Sequence, residues 1–323
     1  MPEISCLYVR LPNWVGDVCM SLPSLALLSD TGLPLAICAR PWARDLLAGV
    51  ATHDFIPMRG RLWEDRGAVR EHRRRLGPDG RQARGLALPD SLSSAAVFRL
   101  AGVPSAGYRD DGRSLLLRWP IAKPDAGLHA VQAWYYLTRT ALQRWQLPAG
   151  QPQPGPLLGL PVTPAHHAAA DGLLREAGLA GQPFVLIAPT ATGLHKGRIK
   201  VWPGFDALTR ALQARGHTVV MCPPPAEVDE ARRNAPTARL LPAVPLGAFA
   251  ALTRRAALVV CNDSGVSHVA AAAGARQLTL FGVTQPGRTG PWSPHATCLG
   301  SDRNWPATEE VEREACALLE SAS

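Results

Sequence analysis

Residues 4–40 read ISCLYVRLPNWVGDVCMSLPSLALLSDTGLPLAICAR. Two short apolar runs, at 4–11 and 34–40, lie on either side of a helical pattern at 18–30. The alternation continues with a helix over 41–49, a strand at 84–88 and an amphipathic stretch over 91–101. This rhythm is typical of a parallel sheet with helices on both faces. The first half of the chain is therefore predicted to be an α/β domain.

The alternation returns after residues 145–164, WQLPAGQPQPGPLLGLPVTP, which are dense in proline and glycine and have no helical period. We predict an N-terminal domain over 1–150, a linker over 151–164 and a C-terminal domain over 165–323. The predicted elements of the second domain are strands at 184–190, 218–223, 257–262 and 277–282 and helices at 203–215, 226–234 and 264–273. A last helix over 308–322 is predicted, with the first domain as a surface on which it could pack.

Length and composition agree with two folded domains. The chain has 323 residues, of which 46% are hydrophobic and 19% charged, as in packed globular proteins. Its seven cysteines are odd in number and show no C-x-x-C spacing, which argues against a disulfide framework or a zinc site. The first residues contain neither a signal peptide nor a membrane anchor, so we expect a cytoplasmic protein.

The charge of the chain is strongly positive. The net charge is +8, and nine arginines against four acids lie between Met58 and Arg84. A basic surface concentrates anionic partners such as nucleic acid, anionic lipid or a phosphorylated substrate. The alternative is a solvated, arginine-rich helix, and the sequence leaves both open.

Several common catalytic signatures are absent. The sequence has no G-x-G-x-x-G after an early strand, no G-x-x-x-x-G-K-[ST], no H-E-x-x-H and no G-x-S-x-G. Hydride transfer, P-loop phosphoryl transfer and triad hydrolysis are therefore disfavoured.

Three polar, glycine-containing turns follow predicted strands, where ligands bind in such folds. In the first, Pro12–Val18, Asp17 is a candidate general base or, alternatively, a helix cap. The second, Cys261–His268, opens an alanine-rich helix whose backbone N–H groups could cradle a diphosphate, or is an ordinary N-cap. The third, Pro189–Pro203, has hydroxyls and lysines that could neutralise a leaving phosphate, or is a mobile surface loop.

These segments resemble the lipopolysaccharide heptosyltransferases, glycosyltransferase family nine. The resemblance rests on RLPNWVGDVCMSLP (10–23), IKVWP (199–203), NDSGVSHVAAAAG (262–274) and LFGVTQPGRTGPW (280–292). PNWVGD and LPDSLSSA (88–95) are most similar to the subgroup that adds the second heptose, although Ser93 stands where that subgroup tends to carry lysine. The resemblance implies a GT-B fold, in which two Rossmann-like α/β domains have parallel sheets facing an interdomain cleft.

The resemblance also implies an inverting, metal-independent transferase with Asp17 as the catalytic base. The residues implied to contact the donor are Thr190, Thr192, Lys196, Lys200, Glu227, Val244, Asp263, Ser264, Gly265, Ser267 and His268. Lys200 is expected at the donor phosphates, with Lys196 as its competitor because the loop is long.

The resemblance assigns the remaining residues to three parts of the donor. Glu227 is expected at the ribose hydroxyls and Val244 at the adenine. Asp263 and the backbone of Ser264 and Gly265 are expected to hold the sugar and diphosphate.

The expected substrates are ADP-heptose, with no further cofactor, and a lipopolysaccharide core acceptor that already bears one heptose. Peripheral contact with the inner membrane is expected, and nucleic acid is not. The rival hypotheses are a transferase with another donor or a protein acceptor, and a non-catalytic nucleotide-binding module.

Overall fold

The computed structural model describes residues 4–124, 127–195 and 197–321, with the backbone alone at 194 and 195. It divides into two compact units. The first contains Met1–Arg44 and Val50–Gly155, and the second contains Asp45–Gly49 and Pro156–Ser323. The chain thus passes between units inside the segment predicted as a linker, while the short piece 45–49 groups with the second unit, which the sequence did not indicate.

The first unit is built on a six-stranded parallel sheet. Its strands are β1 (Leu7–Arg10), β2 (Leu35–Ala39), β3 (Asp54–Pro57), β4 (Arg84–Ala87), β5 (Ser105–Tyr108) and β6 (Trp119–Ile121). They lie in the order β3-β2-β1-β4-β5-β6. Val9 in β1 pairs with Ile37 on one side and Leu86 on the other. The strand order therefore reverses direction between β1 and β4, which is where ligands bind in doubly wound folds.

Six α-helices accompany this sheet within the part of the chain that the structure describes. They are α1 (Val15–Met20), α2 (Leu22–Ser29), α3 (Ala43–Leu46), α4 (Leu62–Arg75), α5 (Leu92–Ala101) and α6 (Ala130–Arg144). The single helix predicted over 18–30 is wrong: the chain forms α1 and α2, which meet at Ser21. Pro23 explains the break, because proline lacks an N–H and clashes with the preceding turn but is tolerated in the first turn of a new helix.

The arginine-rich segment forms α4, and one face of this helix is anchored to the sheet. His72, buried in α4, contacts the Tyr8 hydroxyl through Nδ1 at 2.7 Å and Asp54 through Nε2 at 2.9 Å. Asp65 accepts hydrogen bonds from the backbone N–H groups of Arg59 and Gly60. A buried polar face on one side leaves arginines of the last turn exposed on the other.

The second unit repeats the topology of the first. Its strands are β7 (Val185–Ala188), β8 (Leu194–His195), β9 (Arg198–Ile199), β10 (Val219–Met221), β11 (Arg239–Leu240), β12 (Leu258–Asn262), β13 (Gln277–Phe281) and β14 (Ala296–Gly300). The six-stranded parallel sheet has the order β11-β10-β7-β12-β13-β14, and β8 and β9 form a separate antiparallel hairpin. The reversal point here lies between β7 and β12.

Seven α-helices lie among the described residues of the second part of the chain. They are α7 (Pro164–Glu176), α8 (Phe205–Ala214), α9 (Val228–Asn234), α10 (Leu246–Arg255), α11 (Gly265–Ala273), α12 (Pro286–Thr289) and α13 (Thr308–Glu320). None of the helices in the described residues is long and apolar enough to cross a membrane.

The last helix packs within the second unit. Val311 and Ala315 of α13 are fully buried in one hydrophobic core with Phe205 and Leu212 of α8. The apolar stripe of α13 thus packs on the neighbouring α8.

Val311→Ala should lower the free energy of unfolding of the second unit by about 1.5–3 kcal/mol, because it removes two buried methyl groups and leaves a cavity. Arg313→Ala, at an exposed position of the same helix, should change it by less than about 0.5 kcal/mol. Urea denaturation of both variants measures the difference. Equal stabilities would show that α13 is not part of this core.

Candidate functional site

The loop after β7 is held in place by a buried amide at the end of β12. Asn262 is completely buried. Its Oδ1 accepts a hydrogen bond from the Trp202 N–H at 2.8 Å, and its Nδ2 donates to the carbonyls of Ala188 and Thr190 at 3.3 and 3.2 Å. One side chain therefore fixes the beginning of the loop at β7 and its end before α8. Sequence reasoning missed this role, although Asn262 lies in the quoted NDSG motif.

Three predicted donor residues meet on this loop and the one after β10. The hydroxyl of Thr190 donates to Glu227 Oε2 at 2.5 Å, and that of Thr192 donates to Oε1 at 2.9 Å. Thr190 is buried and Thr192 is exposed. Glu227 therefore presents a carboxylate, already oriented by two hydroxyls, that can accept hydrogen bonds from a polyol.

A second cluster combines Lys200 with Asp263. The Lys200 ammonium lies 3.7 Å from Asp263 Oδ2, and Thr284 donates a 2.5 Å hydrogen bond to the same oxygen. Asp263 is buried and Lys200 largely so. A single carboxylate contact uses only part of an ammonium group that has three N–H donors, so Lys200 can also bind an anion. Thr284 was missed, and Lys196 lies outside the described residues.

Helix α11 begins beside this cluster with its cap position open. Ser264 is the N-cap, but its side chain caps no N–H group, and its Oγ is buried without a hydrogen-bond partner among the described residues. The Ser267 hydroxyl donates to the Ser264 carbonyl at 2.8 Å, and His268 is buried. Gly265 starts the helix, so its first-turn N–H groups and the Ser264 hydroxyl are suited to an anionic ligand.

Val244 follows β11, at the carboxyl ends of the strands of the second sheet, where Glu227, Thr190 and Asp263 also lie. It is half-buried in the loop between β11 and α10. Leu241 donates its N–H to the Met221 carbonyl at 2.8 Å, and the Cys222 thiol donates to Pro242 O at 3.1 Å. These bonds hold the Val244 loop against the end of β10, beside the segment that carries Glu227.

A cavity of about 590 Å³ lies beside the carboxyl ends of β13 and β14. The sequence did not predict this cavity. Its lining residues are Arg198, Ile199, Gly282, Val283, Arg303 and Trp305. A Cβ atom on Gly282 would come within 2.0 Å of the Trp305 ring, so only glycine allows the indole to lie there. Arg198 donates to Asp302 Oδ1 at 2.6 Å and to the Val283 carbonyl at 3.2 Å. Aromatic, apolar and guanidinium groups together fit a polar ring of sugar size.

In the first unit, Asp17 lies where β1 leads into α1, at the reversal point of the sheet. It is half-buried, and burial raises the pKa of its carboxyl from 3.8 to about 6. The alternative role of Asp17 as helix cap is wrong, because α1 begins at Val15 and its N-cap is Trp14. Asp17 is instead an acidic residue in the first turn of α1 and is not its N-cap.

The loop before Asp17 is fixed by a buried arginine. Arg10 is only 4% exposed. Its guanidinium donates to the Asn13 side chain at 2.7 Å and to the Leu11 carbonyl. Burial lowers the pKa of Arg10. A desolvated guanidinium is costly unless its donors are used, and here they hold the turn that delivers Asp17.

Charged residues also collect after β4, β5 and β6. Arg113 is almost fully buried, with its Nη1 3.1 Å from Asp90 Oδ1. Lys123 lies 2.5 Å from Asp90 Oδ2 and 3.3 Å from Asp110 Oδ2. Ser93, which stands in place of the subgroup's lysine, is exposed. Lys123 therefore places a positive charge beside the carboxyl ends of these strands, whereas residue 93 is an uncharged serine.

No group of three or more histidine, cysteine, aspartate or glutamate side chains suited to a metal ion occurs within 4–124, 127–195 and 197–321.

Comparison with known proteins gives consistent results. The model of glycosyltransferase family 9 (heptosyltransferase) matches residues 69–318. Lipopolysaccharide heptosyltransferase 2 of Escherichia coli K12 is 28% identical over 313 residues, which cover 89% of this chain and 86% of that enzyme.

The fold is shared with solved structures, of which two are described here. The E. coli ADP-heptose lipopolysaccharide heptosyltransferase II has a TM-score of 0.77 at 24% identity and 98% coverage of both chains. A family 9 glycosyltransferase from Veillonella parvula has a TM-score of 0.81 at 16% identity, covering 99% of this chain and 98% of that one. The GT-B fold class predicted from the sequence is thereby confirmed.

The raised pKa of Asp17 gives a stability test. The folded protein binds this proton more tightly than the unfolded chain, so the stability contribution of Asp17 falls as pH rises from about 4 to 6 and stays low above it. Asp17→Asn should therefore raise Tm at pH 8 and leave it nearly unchanged at pH 4, in thermal melts across that range. The exposed Asp30→Asn serves as the control. A gain that does not depend on pH would contradict the assigned pKa.

Proposed function

Because this chain belongs to glycosyltransferase family 9 (heptosyltransferase), we propose that it transfers heptose from ADP-heptose to the inner core of lipopolysaccharide. The acceptor that we propose already carries one heptose. Membership of the family supports glycosyl transfer in general. The narrower choice is supported by the PNWVGD and LPDSLSSA segments and by the similarity to heptosyltransferase 2 of E. coli.

The observation that carries the proposal is the order of candidate contacts along the second sheet. The sheet order runs from β11 to β14. In that order, the strands are followed by Val244, by Glu227, by Thr190 and Asp263, and last by residues of the cavity beside Trp305. We assign these in turn to adenine, ribose, diphosphate and sugar. Neighbouring strands are about 4.8 Å apart, so an extended nucleotide sugar can follow the edge with its parts in their chemical order.

The proposed reaction needs one base and a site for the leaving diphosphate. Asp17 takes the proton of an acceptor hydroxyl, whose oxygen forms the new bond to the anomeric carbon. The bond from that carbon to the phosphate oxygen breaks, and ADP departs with its electron pair. A pKa of about 6 keeps Asp17 ionised at neutral pH and more basic than an ordinary carboxylate. Lys200 and the first turn of α11 neutralise the charge that develops on the diphosphate.

We further propose that the enzyme contacts the inner membrane peripherally, because its acceptor is a lipid. The exposed Arg74 and Arg75 at the end of α4 can bind anionic headgroups. Such attachment weakens as salt increases.

The direct test incubates the protein with ADP-heptose and heptosyl-Kdo-lipid A and follows ADP release and acceptor mass. We expect a gain of one heptose. Asp17→Ala should reduce transfer by at least 100-fold, as expected for loss of a general base, while calorimetric ADP-heptose binding persists. Asp30→Ala, which removes an exposed carboxylate, should behave as wild type. Donor binding without transfer would reject this acceptor, and binding of a different nucleotide sugar would reject the donor.

The two lysines of the loop after β7 can be compared directly. Lys200→Ala should weaken ADP-heptose binding by about 10-fold or more, since a charge-assisted contact contributes about 1.5–3 kcal/mol. Lys196→Ala should have a smaller effect, as measured by calorimetry. The reverse order would assign the phosphate contact to Lys196.

A further inference from the structure

The turn that carries Asp17 also carries a large aromatic side chain in water. Trp14 is 71% exposed. It occupies the N-cap of α1 with extended backbone angles, and its side chain makes no capping hydrogen bond. Serine, threonine, aspartate and asparagine are the residues that favour this position. Neither burial nor helix capping therefore accounts for an indole at residue 14.

The backbone on both sides of Trp14 is held by hydrogen bonds. The buried Arg10 holds the Leu11 carbonyl and the Asn13 side chain on the N-terminal side of Trp14. On the other side, the Val18 N–H donates to the Trp14 carbonyl at 3.0 Å. The backbone on which the indole is mounted is thus restrained from both directions, so a ligand that meets the ring loses little further chain entropy.

Trp14 and Asp17 lie three residues apart on the turn that opens α1. They are its N-cap and its third residue, and in a capping box the side chain at each of these positions reaches the backbone N–H of the other. The exposed indole and the Asp17 carboxylate are therefore mounted on the same helical turn. An aromatic face beside a base is suited to a ring that has an apolar face and a reactive hydroxyl at its edge.

We propose that Trp14 is a positioning residue on which the apolar C–H face of an acceptor sugar ring stacks, so that the hydroxyl to be glycosylated meets Asp17. This inference rests on the proposed function. Stacking removes apolar surface of both partners from water and restricts the ring to one plane. The carboxylate then accepts a proton from a hydroxyl at the rim of that ring.

The test uses the deacylated acceptor saccharide, which cannot insert into a membrane. Trp14→Ala should raise the KM for this saccharide at least 10-fold, with the KM for ADP-heptose and Tm unchanged. Trp14→Phe should stay within about 3-fold of wild type, and Trp14→Leu should resemble Trp14→Ala, because stacking needs a flat ring. The matched control is Trp63→Ala, which removes an indole that is 69% exposed in the first turn of α4 and should leave all constants unchanged.

Saccharide binding to the wild type and Trp14→Ala, measured by calorimetry, separates this proposal from the proposed function. A binding loss of 10-fold or more supports stacking even if no heptose is transferred, whereas a wild type that transfers heptose with the same acceptor KM as Trp14→Ala overturns stacking alone. A defect seen only with lipid-bearing acceptor would assign Trp14 to a membrane contact and also overturn it. Absence of any saccharide binding by the wild type would overturn both.

Discussion

Parallel strands end at a common edge of the sheet, and every candidate residue of this protein depends on that constraint. In each unit, the chain lays down three strands in one direction and then crosses to the other side of the first strand. The loops after the first and fourth strands diverge at that point, which leaves backbone and side-chain groups accessible to a ligand. Asp17 and Asp90 lie at this point in the first unit, and Thr190 and Asp263 lie there in the second.

Buried polar groups keep these loops in shape. Asn262 forms hydrogen bonds with one backbone N–H and two carbonyls. Arg10 likewise donates hydrogen bonds within the turn before Asp17. Such groups are unfavourable in a protein interior unless they are hydrogen-bonded. Their presence beneath both loops is understood if the loops must hold one conformation against which a substrate is oriented.

The two units use burial for different chemical purposes. In the first, partial burial raises the pKa of the Asp17 carboxyl, which suits the role of general base proposed for it. In the second, Asp263 is buried next to an ammonium and a hydroxyl, so its charge is compensated and Lys200 is held in place. Burial thus raises the pKa of one carboxyl, Asp17, whereas the other, Asp263, lies beside an ammonium and a hydroxyl.

The sequence by itself determined the α/β class, the strands that carry the motifs, and the glycine-containing turns from which Asp17, Lys200 and Asp263 project. These features follow from local periodicity and turn chemistry, which neighbouring residues express without reference to distant ones. The break of the first helix at Ser21 was equally local, since Pro23 lies in the sequence, but the apolar pattern on both sides concealed it. Only the tertiary structure decided that Asn262 clamps the loop after β7, that Thr284 shares Asp263, that Trp305 lies on Gly282, and that α13 packs on α8. Each of these joins segments far apart in the chain, and their pairing depends on strand order and close packing, which no local pattern encodes.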